Sequence, residues 1–328
     1  MPYLRGRKMR KRAAGCNEKG GKMDILEFLR HQDIPDSMIR DIQDYRKFYK
    51  VDDEVKDRVT VPEYNYYGRD VWEEAISALL AGENLLLSGP KATGKNVLAQ
   101  GLAAAFGRPS WDISFYINVD AESLIGTDTL RDGQVQLRKG LVTLVAQYGG
   151  FGVLDEINMA RNEALAVLHA VLDFRRLIDI PGYGRVKVNE AARFIGTMNY
   201  GYAGTRELNE ALASRFMVLQ MPVISEENLQ RLIRDQYPDI RPEYADEFAR
   251  LFTEIRSKCE GGEITGKALD LRGLLAALRM IRKGRPAGKA LEMGIVNKCF
   301  DRYERQLVAD ITAVRIPAQL TADQVFTS

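Results

Sequence analysis

The sequence predicts an α/β fold followed by a separate, smaller helical domain. Three observations predict it. A short apolar run at residues 84–87 leads through a loop, Gly89-Pro90-Lys91-Ala92-Thr93-Gly94-Lys95-Asn96, into a helix-like stretch at 96–105. Two later runs, 149–155 and 193–199, are strand-like and end in polar side chains, as strands do where parallel sheets place their ligands. From 225 to about 314 the pattern is almost wholly helical.

At 328 residues the chain suits about two domains and can bury a substantial core. Its composition is ordinary for a soluble globular protein. No apolar run approaches the roughly 20 residues that span a bilayer, and the N-terminus lacks a signal peptide's apolar core. Cys16, Cys259 and Cys299 lie far apart with no C-x-x-C pair. That fits a reducing cytosol and a cytoplasmic protein, and argues against a disulfide framework or a zinc site. His31 and His169 have no metal-ligand partner at useful spacing, and His169 reads as a packed or surface histidine. A net charge of +2 gives no general pull toward nucleic acid.

In chain order, residues 1–22 carry eight Lys and Arg against Glu18 alone. The run reads as a disordered basic tail or as a nucleic-acid arm. A third reading starts from Lys19-Gly20-Gly21-Lys22, which a purine-rich ribosome-binding site could encode. On that hypothesis Met23 is the native start, and a natural peptide covering residues 12–22 would refute it. Residues 23–60 form a helical extension, with Ile25, Phe28 and Leu29 on one face, then Ile39, Ile42 and Tyr45 on another. Tyr64, Tyr66 and Tyr67 could stack on an adenine or anchor their loop to the core. Residues 70–80 read as a helix leading to the loop strand.

The loop is a phosphate-binding pattern in its proper context of strand, glycine loop and helix. Gly89 and Gly94 can take backbone angles closed to other residues. The loop N–H groups and the start of the helix favour an anion, and Lys95 adds a full charge for the β- and γ-phosphates. The eighth position normally carries the Ser or Thr that binds Mg²⁺; here it is Asn96, whose amide oxygen can also ligate the ion. Val97 follows in the same helix start. The pattern points to a nucleoside triphosphate held with Mg²⁺.

Residues 111–119 read as a strand, 120–126 as a short helix, 127–139 as a hairpin turning at Asp132-Gly133, and 141–148 as a helix. In the run 149–156, Asp155 could hold Mg²⁺, directly or through water, and Glu156 could activate the attacking water. Residues 161–172 read as a helix, and a second hairpin turns at Pro181-Gly182-Tyr183-Gly184. Asn199 ends its strand where it could orient a water near the γ-phosphate. A short helix at 208–215 precedes Arg215, and 217–221 reads as an edge strand before Pro222. The nucleotide-binding domain is thus 61–222 and the helical domain 223–316, with breaks expected at Pro238, Gly261-Gly262, Gly284 to Pro286, and Gly288. Residues 317–328 read as a frayed tail.

Taken together, these landmarks resemble the AAA+ ATPases, and within them the MoxR-like, dynein-related group that includes the CbbQ/NorQ-like proteins. The resemblance covers roughly residues 60–310. The loop looks like Walker A, and Asp155-Glu156-Ile157-Asn158 like the Walker B form typical of MoxR-like members. Thr197-Met198-Asn199 matches sensor 1. Leu208 to Phe216 matches the segment that ends in the arginine finger, Arg215. Leu269-Asp270-Leu271-Arg272 looks like sensor 2, with Arg272 sensing the nucleotide from the lid. Arg161 and Arg206 are nearby basic residues without an assigned role. The hairpins correspond to the helix-2 insert and the pre-sensor-1 hairpin. The resemblance implies a three-layer αβα domain with a five-stranded parallel sheet, a helical lid, and a homo-oligomeric ring, usually a hexamer, with ATP at subunit junctions. It also implies a protein client, often approached through an adaptor with a von Willebrand factor A domain, and roles in metal or cofactor insertion or enzyme reactivation. Such an adaptor must be a separate protein, because Asp112-Ile113-Ser114-Phe115-Tyr116 lacks the last serine of D-x-S-x-S. Two departures stand out: Asn96 for the hydroxyl, and Ala92 for a common glycine. Alternatives are a nucleotide-gated scaffold with very slow turnover, which Asn96 suggests, and an NTP-driven subunit of a nucleic-acid or restriction system. Beyond residues 1–22 no basic stripe favours the latter.

Overall fold

The computed structural model describes residues 23–200 and 207–327; the basic segment 1–22 and Arg206 lie outside the described residues. Helices α1 (Ile25–His31) and α2 (Asp36–Phe48) open the chain, α1 capped by the Asp24 carboxylate, which accepts from Leu26 N. Their buried faces join one apolar cluster with Trp72, Leu98, Phe106 and Phe151. The extension is therefore a built-in flank of the α/β core. Tyr45 Oη donates to Ala191 O at 2.8 Å and ties α2 to the entry of a core strand.

Helix α3 (Arg69–Leu80) feeds strand β1 (Leu85–Ser88), which leads through the glycine loop to α4 (Lys95–Ala105). Then follow β2 (Ser110–Ser114), α5 (Ala121–Ile125), β3 (Gly126–Arg131), β4 (Gln134–Lys139), α6 (Leu141–Tyr148) and β5 (Phe151–Asp155). Next come α7 (Asn162–Leu165), α8 (Leu168–Leu172), β6 (Leu177–Ile180), β7 (Gly184–Lys187), β8 (Arg193–Met198), α9 (Glu210–Ala213) and β9 (Met217–Gln220). The five core strands run in the order β2-β5-β8-β1-β9, all parallel. In the four strands β2, β5, β8 and β1 the Leu, Val, Ile and Phe side chains are buried, as a parallel sheet covered by helices requires, while the edge strand β9 leaves Met217 and Val218 exposed. Register pairs Ser88 with Met198 and Leu154 with Gly196, so β1, β5 and β8 end together on one edge.

Local differences from the sequence reading have local causes. The strand expected over 111–119 stops at Ser114, because its partner β5 ends at Asp155. The helix expected over 161–172 is divided into α7 and α8. Ala166 and Val167 between them keep right-handed helical angles, so the path is helical with an interrupted hydrogen-bond ladder. Both expected hairpins form. Asp132 and Gly133 sit at φ 52° and 76°, the left-handed pair that a two-residue hairpin turn needs. Tyr183 Oη, from the β6–β7 turn, donates to Asp128 Oδ1 on β3 at 2.8 Å and latches the two hairpins together.

The helical region comprises α10 (Glu226–Gln236), α11 (Pro242–Glu260), α12 (Leu271–Arg282), α13 (Ala287–Gly294), α14 (Arg302–Arg315) and α15 (Ala322–Val325), around its own apolar core. Gly288 does not break a helix as expected. It lies inside α13, where a Cβ would come within 2.8 Å of the Ala318 Cβ, so glycine serves close packing. The frayed tail expected from Pro317 is also corrected. Leu320, Val325 and Phe326 are buried in the helical core. Thr327 N donates to Asp239 O at 2.7 Å, and Arg241 N to Val325 O at 2.9 Å. Apolar burial and backbone pairing hold this segment in place. Among the described residues, no helix is long and apolar enough to cross a membrane.

Candidate functional site

The glycine loop lies at the carboxyl end of β1. Gly89 N donates to Met198 O at 3.3 Å, and a Cβ on Gly89 would stand 2.9 Å from Met221 O, so only glycine fits between the neighbouring strands. Gly94 caps α4 at φ 79°. Ala92 also takes a left-handed conformation, φ 61°, at a cost of about 1 kcal/mol that a glycine would not incur. Lys95 is buried. Its Nζ donates to Gly89 O at 2.9 Å, Pro90 O at 2.6 Å and Thr93 Oγ1 at 3.2 Å. Burial pushes the Lys95 ammonium down to about 8, while Asp155 and Glu156 pull it the other way. The loop thus carries its cation folded against its own carbonyls, within reach of the helix start that favours an anion.

Across from the loop, the end of β5 supplies two carboxylates. Asp155 Oδ1 accepts from Asn96 Nδ2 at 3.0 Å and from Thr197 Oγ1 at 2.7 Å. The same Thr197 oxygen accepts from Glu156 N at 3.1 Å. Glu156 turns the chain at φ 55° into a single 3-10 turn, Ile157–Met159. Its Oε1 accepts from Asn199 Nδ2 at 3.1 Å, and Asn158 Nδ2 donates to Asn199 O at 2.9 Å. Asn96, Asp155, Glu156 and Asn199 are therefore brought together in one hydrogen-bonded group. Thr197 and Asn158 belong to it too, though only their motifs, and not their roles, stood out in the sequence. Asn96 uses its amide N–H₂ on Asp155, which leaves its carbonyl oxygen for a cation. One carboxylate and one amide oxygen are hard donors of the kind Mg²⁺ takes when phosphate oxygens and water complete its shell.

These groups line a cleft of about 740 Å³ between the α/β domain and the helical domain. Lys91 to Val97, Asp155, Glu156 and Asn199 form its floor, while Gly89 and Pro90 lie beneath, touching Lys95. Arg272, in the first turn of α12, lines the opposite wall. Tyr64, Tyr66 and Tyr67 line the end of the cleft and are also anchors, so both roles open in the sequence are compatible with their places. The Tyr67 ring meets Phe28 edge-on at 5.4 Å, and burial raises the Tyr66 hydroxyl to about 12.

Arg215 lies outside this cleft. It follows α9 and is held within its own chain: Nε donates to His169 O at 3.2 Å, a second nitrogen donates to Ala211 O, and Nη2 stands 3.7 Å from Asp173 Oδ2. Asp173 also binds Arg175, whose guanidinium holds its carboxyl below the usual range. Sequence reasoning did not find this acidic partner. Arg161 stands at the N-cap position of α7, without a side-chain capping bond, and does not line the cleft.

The sequence pattern of the AAA domain, dynein-related subfamily, matches residues 84–216, the span from β1 to the residue after Arg215. The uncharacterised protein YojN of Bacillus subtilis (strain 168) is 30% identical over 296 residues, 89% of this chain and 97% of the relative. An uncharacterised protein of Staphylococcus saprophyticus is 33% identical over 253 residues, 74% of this chain and 95% of its own length. Another, of Staphylococcus haemolyticus, is 32% identical over 244 residues, 73% and 92% of the two chains. With the phosphate loop, the paired acids of β5, the polar end of β8 and the helical domain over the cleft in the expected order, the chain belongs to the dynein-related subfamily of AAA-domain proteins.

Proposed function

We propose that this chain is a MoxR-like AAA+ ATPase that works in the cytoplasm as a ring, usually a hexamer, and uses ATP hydrolysis to remodel or activate a partner protein. The observation that carries the reading is the hydrogen-bonded group Asn96, Asp155, Thr197, Glu156 and Asn199, set against the phosphate loop and Lys95. Gly89 to Val97 hold the triphosphate with main-chain N–H groups and one ammonium. Asn96 and Asp155 would hold Mg²⁺, which when bound would supply positive charge against the triphosphate. Glu156 takes a proton from the attacking water, and Asn199 fixes that carboxylate's direction. Arg272 reaches the nucleotide from the lid, which couples closure of the cleft to its contents.

Arg215 serves the nucleotide of an adjacent copy. Its position outside its own cleft supports this reading. To act it must exchange Asp173 for the neighbour's phosphate. The client is a protein, approached directly or through a separate adaptor with a von Willebrand factor A domain, for metal or cofactor insertion or enzyme activation. Steady-state phosphate release tests the proposal: Glu156→Gln should lower it at least a hundredfold, on the order expected for loss of a general base.

One observation favours a second reading. Asn96 carries an amide where a smaller hydroxyl is usual, and a displaced Mg²⁺ would make the chain a nucleotide-gated scaffold with very slow turnover. Equal phosphate release by the native protein and Glu156→Gln would favour that reading.

A further inference from the structure

Asn158 takes no part in the roles given above, yet it is buried and bonded to Asn199, a residue that lines the cleft. β5 ends at Asp155, Glu156 turns the chain through its left-handed angle, and the following 3-10 turn drives Ile157 into the core. That turn carries Asn158 under the end of β8. The β8 ladder closes with Met198, whose carbonyl accepts from Gly89 N. One residue further on, Asn199 has left the sheet, and its carbonyl accepts from Asn158 Nδ2 at 2.9 Å. The Asn199 side chain then returns to Glu156 Oε1 at 3.1 Å. The result is a closed circuit: Glu156, Ile157 and Asn158 by covalent bonds, then Asn199 and back to Glu156 by two hydrogen bonds.

We infer that Asn158 is a positioning residue that acts through Asn199 to set the direction of the Glu156 carboxylate; this rests on the ATPase reading above. A main-chain carbonyl is an anchor point, so fixing it fixes where the Asn199 amide can reach. Without Asn158 the Asn199 carbonyl, at a strand end, loses a buried donor, and its amide can swing away from Glu156. A shift of about 1 Å at a catalytic group can cost about a hundredfold in rate. Nucleotide binding depends on the loop, Lys95 and Asp155, which line the cleft, whereas Asn158 lies behind its lining.

The test compares Asn158→Leu, which keeps the shape and removes the donor, and Asn158→Ser, which stays polar but falls short, with the native protein. Phosphate release and binding of a fluorescent ATP analogue are measured with Mg²⁺, and melting is followed to confirm folding. The expected result is a kcat about ten- to a hundredfold lower, with nucleotide affinity changed less than about threefold. If the leucine variant fails to fold, the serine variant carries the same expectation. The decisive readout is the double variant: Asn158→Leu added to Asn199→Ala should cost little further, because both act on one carboxylate. Additive losses, an unchanged kcat, or a loss confined to nucleotide affinity would each overturn the inference. Equal rates for the native protein and Glu156→Gln would overturn the ATPase reading and this inference with it; a fast native enzyme with an equally fast, folded Asn158→Leu would overturn this inference alone.

Discussion

Asn96 Nδ2 donates to Asp155 Oδ1 at 3.0 Å, joining the helix that follows the phosphate loop to the end of β5. The bond fixes which atom of Asn96 faces a cation, because the amide nitrogen is already engaged. Asn96→Ala removes both that bond and an oxygen donor. A hydrogen bond to a charged group is worth roughly 1.5–3 kcal/mol, so the Mg²⁺ needed for half-maximal phosphate release should rise roughly ten- to a hundredfold. Binding of ATP in the presence of a chelator should change much less. A magnesium titration of both proteins checks this, and an unchanged midpoint would remove Asn96 from the metal site.

Lys95 gives a pH signature. Burial lowers its pKa from 10.5 to about 8. Below pH 8 the folded chain holds a buried ammonium that the unfolded chain keeps in water, and this costs stability. The cost fades as pH rises from about 8 toward 10.5, where the folded chain binds fewer protons than the unfolded one. Nucleotide affinity should move the other way, falling above pH 8 as the cation is lost, so binding at pH 8.5 should take up a proton. Calorimetry in two buffers of different ionisation enthalpy measures that uptake. Lys95→Met should abolish it, and uptake that persisted in the variant would assign the proton elsewhere.

Arg215 separates action in trans from a structural role. Arg215→Ala should keep nucleotide binding and lose about a thousandfold or more in hydrolysis, the scale seen for such arginines in other NTPases. Glu156→Gln should be equally inactive for a different reason. Mixing the two variants builds junctions that combine an intact Glu156 from one copy with an intact Arg215 from the other. Phosphate release should then recover to a sizeable fraction of native. No recovery, with melting lowered in Arg215→Ala, would assign the residue to its contacts with Asp173, His169 and Ala211.

Arg108 is a stability determinant remote from the cleft. It is almost fully buried, and its guanidinium donates to Gly149 O at 2.8 Å, Tyr49 O at 2.7 Å and Tyr148 O at 3.2 Å. It thereby pins the end of the N-terminal extension to the entry of β5. Arg108→Ala orphans these carbonyls, and it should destabilise the fold by about 3 kcal/mol or more. Denaturant unfolding measures the loss. The expected outcome is a lower midpoint with nucleotide affinity retained wherever the protein remains folded.

Much of the fold was legible because its signals are local. The strand, glycine loop and helix around Lys95 lie within about twenty residues, and the Asp132-Gly133 turn announces its hairpin through backbone angles few residues tolerate. Asp155 and Glu156 were readable because an apolar run ends in charge. What sequence could not supply depends on pairing between distant strands. Thr197 bridges Asp155 and Glu156 only because β5 and β8 are neighbours in register. Asp173 meets Arg215 only because α8 ends beside α9. The last residues read as a tail because Val325 and Phe326 are an isolated apolar pair; the helical core that receives them is not visible from their own neighbourhood.

The tyrosine segment 64–67 touches both halves of the molecule. Arg279 of α12 donates to Tyr64 Oη at 3.3 Å, Asn65 Nδ2 to Asp235 Oδ2 of α10 at 3.3 Å, and Asn228 of α10 to Tyr67 O at 3.2 Å. Trp72 of α3 donates to Tyr66 O at 2.9 Å on the other side. Four consecutive residues therefore act as a suspension strap from which the upper half hangs over the lower. A ligand seated against those rings would bear on a segment whose hydrogen bonds reach both halves, so the strap is where occupancy of the cleft would be felt by the helical region.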